Sequence, residues 1–256
     1  MNITVLGSCA NQISNREGVA LLIEQGTDNL LIDCGPGIAA AFGRVNRRMS
    51  DVTNLLLTHV HGDHITGFPY FVWNRNFERM GSTPAQDLHV YGAKDTIELA
   101  QFAISHCYPE IHFSFEVHYH VIQGGETFTC GSLSVKTINA IHTVPCLACS
   151  IEMGNKKVAY SCDSLPNDEL YPLAKDADLL IHEGMLLQNA EIMAKKVRHS
   201  LAKDAGAFAQ KVRAKHLALV HIAPALLGQE NSLSSEAKNM FDGMVTIPYD
   251  GTVYCI

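Results

Sequence analysis

Three imidazoles and a carboxylate fall within the six residues His59-Val60-His61-Gly62-Asp63-His64, directly after the apolar run Leu55-Leu56-Leu57-Thr58. Imidazole nitrogen combined with carboxylate oxygen is the donor set that zinc-class cations prefer, whereas oxygen donors alone would point to calcium or magnesium. If residues 54–58 form a buried strand, His59 and His61 leave its end on the same side, because strand side chains alternate. Gly62 then lets the chain turn, so that Asp63 and His64 face a second position. One short loop could serve two ions. A polar loop that caps a helix through Asp63 is the competing reading, and it gives the three imidazoles no role.

Further ligand-type side chains follow apolar β-runs elsewhere in the chain. His142 comes after the alternating segment Ser134-Val135-Lys136-Thr137-Ile138, Asp163 after Lys157-Val158-Ala159-Tyr160-Ser161-Cys162, and His221 after Leu217-Ala218-Leu219-Val220. The ends of strands in open sheets are where functional loops gather. For each residue alone a hydrogen-bonded histidine or a turn aspartate is commoner than a ligand; together with residues 59–64 they complete a set for two ions.

The segment 59–64, followed in order by His142, Asp163 and His221, resembles the metallo-β-lactamase superfamily of binuclear metal hydrolases. The resemblance covers nearly the whole chain, from Val5-Leu6-Gly7-Ser8 onward. It implies a four-layer αββα sandwich, two sheets face to face with helices outside. It also implies that His59, His61 and His142 hold one divalent ion and Asp63, His64 and His221 the other, with Asp163 bridging. His61 stands where the oxygen-reducing di-iron branch often carries glutamate, which favours Zn2+, with Mn2+ or Fe2+ as alternatives, in a hydrolase rather than a redox enzyme.

Two more segments narrow the branch. Leu179-Leu180-Ile181-His182-Glu183-Gly184 and Arg198-His199-Ser200-Leu201-Ala202 look like the His-Glu and His-Ser motifs of the ribonuclease Z-like group, which cleaves phosphodiesters. The resemblance implies that Glu183 orients His199 and that His199 protonates the leaving oxygen. The chemistry is sound, since an alkoxide leaving group needs a general acid near neutral pH and histidine titrates there. The alternative is that Ser200 caps a helix over 201–214 and His199 is its exposed neighbour. Two cations sharing one water would bring its pKa to about 7; Asp63 would orient the resulting hydroxide.

Members of that group that process tRNA carry a long arm between the third-motif histidine and the bridging aspartate. Here only residues 143–162 lie between His142 and Asp163, enough for a loop and a β-hairpin turning at Gly154-Asn155. Net charge is −7, and basic residues cluster only around Arg44–Arg48 and Lys195–Arg198. Phosphate contacts dominate nucleic-acid affinity, so a small-molecule phosphodiester is expected over RNA. Rival readings are an arylsulfatase, lactonase or thioesterase on the same site, a tRNA 3′-processing endoribonuclease, a non-catalytic ligand sensor, and a di-iron oxidoreductase. The resemblance suggests a homodimer.

The elements that must position these residues are legible in the hydrophobic pattern. Residues 3–6, 19–24 and 29–33 read as opening strands, and Gly35-Pro36-Gly37 breaks the chain before a helix around 38–48. A helix through Ile65–Phe77, a helix over Asp95–Ser105 and a β-rich stretch over 113–138 follow. The second half alternates helix and strand: 167–176, 178–182, 186–197, 201–214 and 216–221. A helix near 234–241 and a hairpin turning at Asp250-Gly251 close the chain. At 256 residues, 47% apolar and 18% charged, one α/β domain over 1–256 is the simplest organisation. No charged start precedes an apolar run, and no apolar segment approaches the ~20 residues that span a bilayer, so no membrane partner and a cytoplasmic location are expected. The eight cysteines are scattered, which reads as reduced thiols. Cys146-Leu147-Ala148-Cys149 is formally a C-x-x-C pair, but a redox pair would open a helix whereas Cys149-Ser150-Ile151-Glu152 looks extended, so the pair reads as packing.

Overall fold

The computed structural model describes residues 1–11, 16–79 and 85–256. The strands are β1 (Asn2–Gly7), β2 (Ala20–Gln25), β3 (Asp28–Ile32), β4 (Asn54–Leu57), β5 (Leu88–Gly92), β6 (Val117–Val121), β7 (Thr127–Cys130), β8 (Leu133–Asn139), β9 (Leu147–Met153), β10 (Lys156–Tyr160), β11 (Leu179–Glu183), β12 (His216–Val220), β13 (Met244–Thr246) and β14 (Val253–Cys255). The α-helices are α1 (Ile38–Arg44), α2 (Gly62–Ile65), α3 (Phe68–Glu78), α4 (Lys94–Cys107), α5 (Tyr171–Ala174), α6 (Glu191–Val197), α7 (Ala202–Val212) and α8 (Glu230–Lys238).

Two seven-stranded sheets result, ordered β14-β1-β2-β3-β4-β5-β6 and β13-β12-β11-β10-β9-β8-β7. One apolar cluster joins their facing sides, with Ile3, Val5, Ile23 and Ile32 from the first sheet meeting Val135, Ile151, Tyr160 and Ile181 from the second. A second cluster lies between the first sheet and α1, α3 and α4, and a third between the second sheet and α5, α7 and α8. These are the four layers of the expected αββα sandwich. Residues buried on both faces of a sheet explain why β3, β4, β11 and β12 read as continuous apolar runs. On α7 the buried positions Ala202, Ala205, Gly206, Phe208, Ala209 and Val212 recur at helical spacing. Gly206 is required there: a Cβ on it would lie 2.3 Å from the Ala237 carbonyl oxygen of α8. Among the described residues no helix is long and apolar enough to cross a membrane.

Several expected elements are corrected. The helix expected through Ile65–Phe77 is two pieces, α2 and α3, because Pro69 has no N–H to give the Ile65 carbonyl and its ring would collide with it. The helix expected around 38–48 ends at Arg44, and Asn46 turns left-handed at φ 52°. That over 186–197 begins as a 3-10 turn at Gln188–Ala190, and the last helix lies at Glu230–Lys238, earlier than the expected 234–241. The closing hairpin is not one: β13 pairs with β12 in the second sheet and β14 with β1 in the first. The Asp250-Gly251 turn therefore crosses between sheets, with the Asp250 carboxylate accepting the Ser8 hydroxyl and the Glu17 N–H. The Gly154-Asn155 hairpin is as expected, Met153 pairing with Lys156.

Arg75 on α3 is fully buried and fixes the entrance to β4. Its guanidinium donates to the carbonyl oxygens of Met49, Val52 and Gln86 at 3.2, 2.7 and 2.9 Å and lies 4.3 Å over the Phe115 ring. Arg75→Met would leave those carbonyls without a donor. It is expected to lower stability by about 3 kcal/mol; an unchanged urea midpoint would show that the carbonyls find other donors.

Candidate metal centre

Loops from both sheets meet at the ends of β4, β8, β10 and β12. The Asp163 carboxylate is buried, and its Oδ2 lies 3.6 Å from His59 Nε2, 3.4 Å from His64 Nε2, 3.8 Å from His142 Nε2 and 3.2 Å from His221 Nε2. On one side of it His61 Nδ1 stands 3.1 Å from His142 Nε2. On the other, Asp63 Oδ2 is 3.4 Å from His221 Nε2 and 3.5 Å from His64 Nε2. The seven residues singled out as ligands are thus brought together in two groups, His59, His61, His142 with Asp163, and Asp63, His64, His221.

The turn between the groups is not made as expected. Gly62 is not in the left-handed region; the short helix α2 itself reverses the chain, delivering Asp63 and His64 from consecutive positions. A glycine is needed at Gly35 instead, where a Cβ would lie 1.9 Å from the Asp63 carbonyl oxygen. Non-glycine residues do adopt positive φ at the ends of β3, β10 and β12, namely Asp33 (63°), Cys162 (51°) and His221 (58°). Such a conformation costs about 1–2 kcal/mol for an L-residue, and each swings a side chain or its neighbour toward the centre.

The imidazole edges that face away from the cluster are held. His64 Nδ1 lies 2.8 Å from Asp33 Oδ2, His59 Nδ1 3.1 Å from Thr58 Oγ1, and His142 Nδ1 3.1 Å from the Arg198 carbonyl oxygen. With Nδ1 as donor in each, Nε2 keeps its lone pair for the centre, the arrangement that ligating histidines use. Asp33 also accepts the Thr58 N–H and hydroxyl at 2.8 Å. Sequence reasoning passed over Asp33, Thr58 and Arg198. The only signal for Asp33 is a carboxylate closing the apolar strand Leu30-Leu31-Ile32, a weak one.

Burial drives the His59 imidazole far below its ordinary value and His142 to about 4, which keeps both in the neutral form that ligates. Burial opposes protonation of His64 too, but the Asp163 and Asp33 carboxylates lift it well above its usual value. Against its own burial, Asp163 is held well below the ordinary carboxylate range by His221 and His64. The centre therefore demands positive charge. His59 Nε2, His64 Nε2 and Asp163 Oδ1 are buried with no hydrogen-bond partner, three unsatisfied atoms of ligand chemistry. The donor set fits zinc-class cations.

Glu183 and His199 lie beside the cluster. His199 is buried, its Nδ1 3.0 Å from Glu183 Oε2, and its ring stands 4.9 and 5.0 Å from those of His142 and His221. Glu183 also accepts the Ser164 N–H, so one carboxylate fixes both His199 and the Asp163 loop. Burial and the Asp163 charge push the Glu183 carboxyl up, and burial lowers His199. The alternative for His-Ser is removed: Leu201 precedes α7 as its N-cap, and the Ser200 hydroxyl donates to the Ser164 carbonyl. His182 points the other way, toward Phe208. All eight cysteines are free, and Cys149 lies on β9 as expected; Cys146 Sγ is 3.2 Å from Cys162 Sγ.

Residues 1–236 match the family model described as Anti-Pycsar protein Apyc1. The chain is 28% identical to the probable metallo-hydrolase YhfI of Bacillus subtilis (strain 168), covering 99% of each. It superposes on the crystal structure of the metallo-beta-lactamase fold protein YhfI from that organism with a TM-score of 0.86 at 26% identity, covering 99% of this chain and 98% of that one. The human tRNase Z, short form, shares the fold with a TM-score of 0.82 at 23% identity, over 100% of this chain and 99% of that one. A ribonuclease Z of Halorubrum lacusprofundi is 23% identical over 306 positions, covering 98% of this chain and 96% of the relative; with 256 residues here, that relative carries additional segments.

Asp33→Asn keeps the shape of the side chain but removes the charge that orients His64. Metal affinity, read by competition with a chromophoric chelator, is expected to fall about 10–100-fold. Unchanged affinity would mean that packing alone holds the ring.

Proposed function

The chain belongs to the Anti-Pycsar protein Apyc1 family, and for this metal-dependent hydrolase of the metallo-β-lactamase fold we propose a binuclear phosphodiesterase that acts on a small phosphodiester. The observation that carries this reading is the Glu183–His199 pair at 3.0 Å beside two ligand groups, with Asp163 of the first lying 3.4 and 3.2 Å from His64 and His221 of the second. In this reading His59, His61 and His142 hold one ion and Asp63, His64 and His221 the other, Zn2+ first, Mn2+ or Fe2+ as alternatives. Ions bound there supply Lewis acidity toward the phosphoryl oxygens and bring the pKa of a shared water to about 7.

The chain's own residues do the rest. Asp63 has a side chain 17% exposed against 2% for Asp163, so Asp63 is the carboxylate that an incoming water meets and whose free oxygen can orient it. His199, with Nδ1 turned to Glu183, keeps its other nitrogen for a proton, which it gives to the leaving oxygen. Glu183 touches no reacting atom; it positions His199 and steadies the imidazolium formed when the ring is protonated. Two carboxylates near His199 and a ring on each flank leave little freedom for a different ring orientation.

Precursor tRNA is the competing substrate, favoured by the ribonuclease Z relatives. Residues 143–162 argue against it: β9, the two-residue turn and β10 take up residues 147–160, leaving no arm at that position. The −7 net charge gives no general attraction to a polyanion. Sulfate-ester, lactone and thioester hydrolysis would use the same metal ligands and stand as outcomes of the test below.

His199→Ala is expected to lower kcat by about 10²–10⁴ on an alkyl-ester leaving group and far less on a nitrophenol, with metal content unchanged. Equal losses on both would assign His199 to binding or folding. For the substrate class, one preparation checked by elemental analysis for close to two metal equivalents should hydrolyse bis(p-nitrophenyl) phosphate and a cyclic nucleotide and leave precursor tRNA uncut at moderate salt. Position-specific cleavage of precursor tRNA, or turnover of a sulfate ester, lactone or thioester without any on diesters, would overturn the assignment.

A further inference from the structure

The open edge of the first sheet carries a histidine set that the chemistry above does not use. His118 and His120 lie two apart on β6 and share a face, and the strand register sets His118 beside His89 and His120 beside Tyr91 on β5. Leu88, Val90, Val117 and Tyr119 pack outward under the helices, and Tyr91 packs between the sheets, so the three imidazoles take the inter-sheet side. All three are half-buried. The position is far from the centre: His89 pairs with Asn54, at the start of β4, whereas His59 follows its end.

The rings are stacked, His89 lying 4.9 Å from His118 and 5.3 Å from His120. Stacking alone does not bring ring nitrogens together, yet His89 Nδ1 and His120 Nε2 are 3.0 Å apart. In the centre, His61 Nδ1 and His142 Nε2 are 3.1 Å apart. Two nitrogens each about 2.0–2.1 Å from one ion stand about 2.9 Å apart at a right angle and about 3.3 Å apart at the tetrahedral angle. The observed spacing falls in that range. The Asp87 and Glu116 carboxylates lie 3.3 and 3.8 Å from His118 Nε2 and place negative charge next to the pair. A cleft of about 430 Å³ lined by Asp87, His89, Tyr91 and Thr129 opens beside it, giving a hydrated ion a way in.

We propose that His89 and His120 form an accessory binding site for a divalent d-block cation of the Zn2+, Ni2+ or Cu2+ kind, with water completing its coordination. Two imidazoles without thiolate suit these ions over calcium or magnesium. The ion would clamp edge strand β6 to β5, and binding to the folded state alone would stabilise it.

Tag-free enzyme with its catalytic centre saturated with zinc tests this by equilibrium dialysis against micromolar Zn2+. About one further equivalent is expected on the wild type, lost in His89→Gln and in His120→Gln and kept in His106→Gln on α4, with circular dichroism confirming that the variants fold. On the unaltered protein, Cu2+ added after saturation should give an electron paramagnetic resonance spectrum with coupling to two nitrogens, a readout independent of any variant. No further equivalent on the wild type, or one unaffected by both substitutions, would overturn the proposal and leave the two rings sharing only a proton.

Discussion

One buried carboxylate oxygen, Asp163 Oδ2, sets the terms for the centre: four imidazole nitrogens crowd to within 3.2–3.8 Å of it. A carboxylate removed from water is costly unless positive charge meets it. Protons on all four rings cannot meet that need, since burial keeps His59 and His142 neutral. The cluster is therefore arranged for cations. Its members come from loops of both sheets, so the sandwich must close correctly before any of them meet.

Holding the rings is a separate task, done by groups outside the seven ligand-type residues. Asp33, from the end of β3, binds both the His64 ring and the Thr58 backbone that follows β4, so a single carboxylate locks two adjacent strand ends. Arg198 and His142 exchange bonds through main chain and side chain, the Arg198 guanidinium donating to the His142 carbonyl at 2.7 Å while the ring faces the Arg198 carbonyl. Glu183 does the same for the Asp163 loop and His199. Fixing ligand orientation in this way limits the reorganisation needed when charge develops in a reaction.

A cleft of about 950 Å³ lies at the opposite end of the strands. It is walled by Glu24, Asp28 and Asp51 against Arg47, Arg48 and Arg79, a balanced set in which Arg47 pairs with Glu24 and Arg79 with Asp51. None of the ligand-type residues of the centre lines it. The partly exposed Asp63 and His61 open the cluster to solvent.

The sequence by itself determined the donor types and their grouping. Residues 59–64 are local, and strand alternation places them without knowledge of the rest of the fold; His142, Asp163 and His221 stand out because each follows a run that reads as a strand. Apolar period and length also marked most of the strands and helices, while the four layers followed only from the family resemblance. Only the tertiary structure decided what depends on contacts far apart in the chain. Asp33 and Thr58 are 25 residues apart, and nothing local marks that aspartate as a partner of His64. The closing segment alternates like a hairpin, yet its strands join different sheets, because Asp250 anchors the turn to the loop after β1. Pro69 and Gly67 divide a helix that hydrophobic period alone would run through. His89 and His120 are 31 residues apart, and only the pairing of β5 with β6 sets their rings together.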